Sequence, residues 1–176
     1  DSLLDEAESR IFGLSTEKAS TSLSSISVEM HDAVNHIDML MTRGGEITGI
    51  SSGYENLDDM TGGLQPGDLF ILAARPSMGK TAFALNLGRN AAVDFGKNVA
   101  VFSLEMTTRS LVMRMLSSEA QVDAGSFRSG LISTEAHTRL MDAAGKLADA
   151  TIWIDDTGAA SILEIRAKCR RLHSMH

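Results

Sequence analysis

Cys169 is the chain's one cysteine, which rules out an internal disulfide and fits a reducing compartment. Also missing is any apolar run near the roughly 20 residues that a membrane-spanning helix needs. The chain does not open on a basic-then-apolar leader. No membrane association is expected, and the cytoplasm is the expected location. Basic residues are in deficit: 16 Lys and Arg stand against 23 Asp and Glu, for a net charge of −7 and a sequence pI of about 5.1. A module that coats DNA through phosphate contacts alone would be basic, so any nucleic-acid contact has to come from a local patch. No internal repeat is present. What remains is 176 residues, 43% hydrophobic and 22% charged, enough for one sizeable core plus an appendage.

Leu4, Ala7, Ile11 and Leu14 recur at heptad spacing behind a Ser2/Asp5 capping box. This predicts a short helix with an acidic polar face. So short a helix is marginal in water, and its apolar stripe needs a partner surface. Residues 15–25, rich in Ser and Thr, read as a flexible linker. Ile26, Met30, Ala33, Ile37 and Leu40 predict a second helix, stopped by Gly44-Gly45.

The compact part is expected to begin near Ile47, where Gly-rich turns lead to an apolar strand over 68–74. A helix over 81–95 follows, with Phe83, Leu87, Ala91 and Phe95 on one face and Gly96 as its cap. Next come a strand at 98–104 and a helix at 109–120 burying Leu111, Val112, Met115 and Leu116. A helix capped by Ser133 runs to about 149, with Leu140, Ala144 and Leu147 inside, before a strand at 151–155. The last helix opens on a Ser161/Glu164 capping box. It puts Ile162, Ile165, Cys169 and Leu172 inside and Arg166, Lys168, Arg170 and Arg171 outside. Strands alternating with helices predict right-handed βαβ units around a parallel sheet.

The stretch carrying the most chemistry is Ala74-Arg75-Pro76-Ser77-Met78-Gly79-Lys80-Thr81. It fits G-x-x-x-x-G-K-[ST] except that Ala74 stands for the first Gly, and it lies between an expected strand and an expected helix. Loop amides and the helix N-terminus then form a nest for phosphate oxygens. Gly79 lets the backbone approach, and Pro76 stiffens the loop. Lys80 would bridge the terminal phosphates, and the Thr81 hydroxyl would ligate Mg²⁺. ATP and Mg²⁺ are the expected ligands.

GYENLDDMTGGLQPGDLFILAARPSMGKTAFALN, then VAVFSLEM and IDDTGAASILEIRAKCRRL, resembles the bacterial replicative DNA helicase of the DnaB type. The similarity extends through LLDEAESRIFGL and so covers nearly the whole chain. An Ala at the first loop position is usual in that family. The resemblance implies a partial RecA-like P-loop NTPase core, a parallel sheet flanked by helices, preceded by an extended linker helix. It also implies a ring hexamer that hydrolyses ATP and unwinds DNA, held together by the linker helix docking on the neighbouring subunit, with a primase and a helicase loader as partners. Lys80 and Thr81 become nucleotide and magnesium contacts, and Glu105 in Phe-Ser-Leu-Glu-Met matches the catalytic glutamate. Its expected place, at the C-terminal end of a strand, suits a base for the attacking water; the bland reading is a cap for the next helix.

On this resemblance, residues 1–25 are linker helix and flexible linker. Residues 26–176 are the N-terminal part of the ATPase domain, truncated before the strand that carries the magnesium aspartate. The unpaired side of such a halved sheet is expected to be sticky or partly ordered. Asp155 ends a hydrophobic run and reads more readily as a helix cap than as a metal ligand. Cys169, His173 and His176 could share a metal only at a frayed terminus. An alternative of another class is a regulatory or assembly module that binds ATP without hydrolysing it; such a switch needs the loop but no positioned Glu105.

Overall fold

Two short β-branched and aromatic runs, Val-Ala-Val-Phe and Ile-Trp-Ile-Asp, suit the pleated surface of a sheet. In the computed structural model, which describes residues 25–42 and 47–175, they pair in parallel as β1 (Val99–Phe102) and β2 (Ile152–Asp155). Val99 lies opposite Ile152, and Phe102 opposite Asp155. The described residues fall into two units divided between Glu46 and Ile47.

The first unit supplies α1 (Ile26–Thr42). Ile26, Met30, Val34 and Ile37 recur on one face and are about half exposed or more. The helix expected over 2–14 lies outside the described residues, as does nearly all of the expected linker.

In the second unit, a glycine-rich segment is closed by a bridge between Ile50 and Leu64 around α2 (Glu55–Thr61). Then come α3 (Lys80–Arg89), which runs on into a π-helical turn (Asn90–Asp94), β1, and α4 (Thr108–Ala120). After these follow α5 (Ala124–Ser129), α6 (Thr134–Asp149), β2 and α7 (Ile162–Met175). The sequence reading missed α2 and α5, both too short to show an apolar period. The caps it read at Ser133 and Ser161 are present, and the Ser2/Asp5 capping box lies outside the described residues. Ser133 accepts from the Ala136 amide at 3.1 Å, and Ser161 and Glu164 exchange backbone bonds as a capping box.

Strand alternation decides the core. Val101, Ile152 and Ile154 meet Leu85, Leu111 and Met115 from α3 and α4, while Ala120, Val122, Ala136, Leu140 and Ala143 form a second cluster between α4 and α6. The opposite sheet face turns Phe102 and Trp153 toward Leu172 and Met175 of α7. That cover is partial: α7 has no buried residue, and Ile162 and Cys169, expected inside, are exposed. Val112, also expected inside, is exposed.

In α3 the π turn inserts one residue. This shifts the phase of the later residues by about 100°, so Ala91 and Ala92 are both buried while Phe95 is exposed. Asn90, in that turn, donates to the Ser52 carbonyl at 2.9 Å. Gly53 next door has φ +78, and a Cβ there would sit 2.4 Å from the Asn90 amide nitrogen, so only glycine fits. Asp58, buried, accepts from the Ser51 hydroxyl at 2.6 Å and the Ser52 amide at 2.8 Å. Burial opposes its charge, yet these bonds hold its pKa below the ordinary value.

The strand expected over 68–74 is not formed. Residues 68–75 carry no regular structure, and Leu69, Phe70, Ile71 and Leu72 are 85, 49, 83 and 42% exposed. The composition is that of a strand, but the described sheet has two strands, and β1 pairs with β2 alone. A cavity of about 400 Å³ lies between Leu72 and Val101 to Leu104. Without a neighbouring strand no ladder forms along 68–74, and its apolar side chains stay exposed.

Glu119 ties three helices together. Its carboxylate accepts from Arg89 Nε at 2.6 Å and Lys146 Nζ at 3.4 Å, and Arg89 also pairs with Asp94. Burial works against the Glu119 charge, but Arg89 overrides it and its pKa is lowered. Glu119→Ala should cost roughly 2–3 kcal/mol in denaturant unfolding, less than a fully buried pair because Arg89 keeps Asp94. A loss within the error of the titration would show that the pair does not staple the helices.

Candidate functional site

Gly79 is the N-cap of α3 but offers no side chain, and no side-chain cap serves the first turn. The amides there remain available to an acceptor from outside. Ser77 at φ 65 and Gly79 at φ 87 turn the loop back on itself, and the Met78 amide closes it on the Arg75 carbonyl at 3.2 Å. A left-handed serine is uncommon and costs energy; here it belongs to the loop that the sequence marks for phosphate. A Cβ on Gly79 would meet no protein atom within 4 Å, so within the chain it is the left-handed conformation that calls for glycine.

This loop walls a cavity of about 490 Å³, lined by Ala74, Arg75, Pro76, Ser77, Gly79, Lys80, Thr81 and Ala82. Across from it stand Glu105, Met106 and Arg114. Of the loop residues expected there, only Met78 is not in the lining; it is 73% exposed. Tyr54 braces the helix behind the loop, its ring 5.1 Å from that of Phe83.

Glu105 lies in the turn after β1. It does not cap α4, for Thr107 does that, accepting from Ser110. Among the described residues, none makes a hydrogen bond or ion pair with the side chains of Arg75, Lys80, Glu105 or Arg114. Three cations and one carboxylate give the cavity wall a charge of +2 in a chain of −7. Such a wall suits a polyanion. Arg114 was not expected: it stands in the apolar series Leu111-Val112-Met113-Arg114-Met115-Leu116, and a single basic residue inside that series was the available signal. The Thr81 hydroxyl gives a hard oxygen donor of the kind that Mg²⁺ accepts, and the cations of the wall suit phosphate, so the residues present fit a magnesium nucleotide.

The two carboxylates ending β2 have other work. Asp155 accepts from Lys168, from the Thr157 hydroxyl at 2.6 Å and from the Thr157 amide at 3.0 Å, and Asp156 accepts from the Thr108 amide at 2.7 Å. Lys168 first, then Thr157, draw the Asp155 pKa down to about 2. A depressed carboxylate contributes stability above its unfolded value of 3.8 and loses it as the pH falls toward 2. Asp155→Asn should therefore flatten the acid side of the unfolding curve between about pH 4 and pH 2. An unchanged acid limb would show the pair to be inert. No cluster of three His, Cys, Asp or Glu able to hold a metal occurs among the described residues. No helix among them is long and apolar enough to cross a membrane.

Residues 49–176 match the family described as DnaB-like helicase C terminal domain. The chain belongs to that family. It is 48% identical over 172 residues to the replicative DNA helicase DnaB of Geobacillus stearothermophilus and 45% identical over 172 to the replicative DNA helicase DnaC of Bacillus subtilis (strain 168). These alignments take in 98% of the chain but 38% of each relative's length. Among solved structures, an ATPase domain superposes with a TM-score of 0.79 at 30% identity, over 88% of this chain and 54% of that one. A DnaB-like replicative helicase, studied with its primase interactions, gives 0.78 at 29%, over 94% and 40%. The fold is thus that of a RecA-like P-loop core, present here with two paired strands.

Proposed function

We propose that the chain is the nucleotide-gripping part of an ATP-driven replicative DNA helicase. One observation carries the reading: loop amides, Lys80, Arg114 and Glu105 surround a single cavity with their charged groups uncommitted. In this reading the amides of 74–81 hold the phosphates, and Lys80 and Arg114 offset charge on the terminal groups. Glu105 takes a proton from the water whose oxygen attacks the γ-phosphorus, while the bond to the β–γ bridging oxygen breaks to leave ADP and phosphate. The Thr81 hydroxyl would hold Mg²⁺, which when bound draws charge off the phosphate oxygens.

Residues 1–25 serve as linker and 26–176 as the N-terminal part of the motor domain. Because the relatives are much longer than this chain, we place the magnesium aspartate, the arginine finger and the DNA-gripping loops elsewhere in the intact protein. The strand that would fill the gap beside 68–74 is placed there too. The intact protein assembles as a hexamer through the linker helix, acts on DNA in the cytoplasm and meets a primase and a loader.

The test is strand separation on a forked duplex by the intact protein, with ATP and with a non-hydrolysable analogue. Unwinding with ATP alone is the expected result; ATP turnover with no unwinding under any loading condition would favour a binding or assembly module.

A further inference from the structure

Glu105 has no side-chain partner among the described residues and lies in an exposed turn, so its place is set by the bonds that hold the turn. The Ser103 amide donates to the Asp155 carbonyl at 2.8 Å, carrying the β1–β2 ladder one residue past the strand end. The Ser103 hydroxyl then closes on Met106 from both sides, accepting from its amide at 3.0 Å and donating to its carbonyl at 2.7 Å, with Leu104 and Glu105 looped between. Beyond the turn, the Asp156 carboxylate accepts the Thr108 amide at 2.7 Å across 48 residues of sequence. Asp156 is itself steadied, because its neighbour Asp155 is anchored to Lys168 of α7 and to Thr157.

Thr107 caps α4 through Ser110 at 3.4 Å, which leaves the Thr108 amide to Asp156. That bond satisfies a first-turn amide of α4 and also ties the exit of the Glu105 turn to the residue that follows β2. We propose that Ser103 and Asp156 are positioning residues for Glu105, clamping the two ends of its turn so that the carboxylate faces the phosphate loop. The inference rests on the reading of Glu105 as the base. Neither residue lines the cavity walled by the phosphate loop; each acts through the turn.

The test is steady-state ATP hydrolysis by the intact protein carrying Ser103→Ala, Asp156→Ala, Asp156→Asn or Glu105→Gln, with melting temperature measured on each. Loosening the turn should lower kcat roughly ten- to a hundredfold in both alanine variants, because misplacing a reacting group by about 1 Å has effects of that order. KM for ATP should stay within about twofold, since the loop that binds phosphate is untouched. Asp156→Asn should recover most of the lost rate, because an asparagine oxygen still accepts from Thr108. A role confined to helix stability would lower the melting temperature and leave kcat alone. Wild-type kcat in both alanine variants, with Glu105→Gln inactive, overturns the clamp and leaves the base standing. An asparagine variant as slow as the alanine one also overturns it. Full turnover by Glu105→Gln removes the base and the clamp together.

Discussion

Lys80→Ala in the intact protein should cut ATP turnover about a hundred- to a thousandfold, the usual loss when one preorganised cation facing developing charge is removed. The reason is local. Lys80 opens α3 one residue after an uncapped, left-handed Gly79, so its ammonium and the free amides share one cavity. No carboxylate among the described residues competes for it. Because Lys80 meets the phosphates in the ground state as well, KM should rise along with the fall in kcat. Arg75 and Arg114 also line the wall, so some affinity should survive through them. Steady-state kinetics with varied ATP checks both parts. A variant with wild-type kcat and KM would place nucleotide outside this cavity.

Glu105→Gln should behave differently. Nucleotide affinity should hold or improve, since a neutral amide replaces the one carboxylate in a wall of cations. Turnover should drop about a hundred- to ten-thousandfold, the range ascribed to a positioned general base. Fluorescent-nucleotide binding beside a phosphate-release assay separates the two effects. Retained turnover would reduce Glu105 to an exposed acid in a turn and favour the alternative of a nucleotide-binding module without hydrolysis. Binding lost in step with turnover would also count against the base, because it would mean that Glu105 shapes the pocket.

The loop that walls the candidate site was legible because its pattern is written in consecutive residues: a glycine, a lysine and a threonine at fixed spacing. The same holds for the caps at Ser133 and Ser161, whose partners stand three residues on. Glu105 could be named from its place after a strand and from family resemblance, but the turn that holds it could not. Asp156 reaches Thr108 from 48 residues away, and nothing local to either marks the pairing. Arg114 was hidden by its helix, where an apolar period drew attention to its neighbours.

The strand at 68–74 failed for a different reason. Its residues are right for a sheet, but a strand is completed by its neighbour, and the described sheet offers none on that side of β1. The π turn at Asn90–Asp94 broke the helical period for Phe95 in the same spirit. Within that turn Asn90 reaches Ser52, a contact that no periodicity reveals.

The most direct measurement is a high-resolution structure of the intact protein with magnesium and a non-hydrolysable ATP analogue. The account predicts the β- and γ-phosphates seated on the amides of residues 74–81, with Lys80 on their oxygens and Glu105 facing the γ-phosphorus. A nucleotide bound at another surface, with that loop empty, would contradict it.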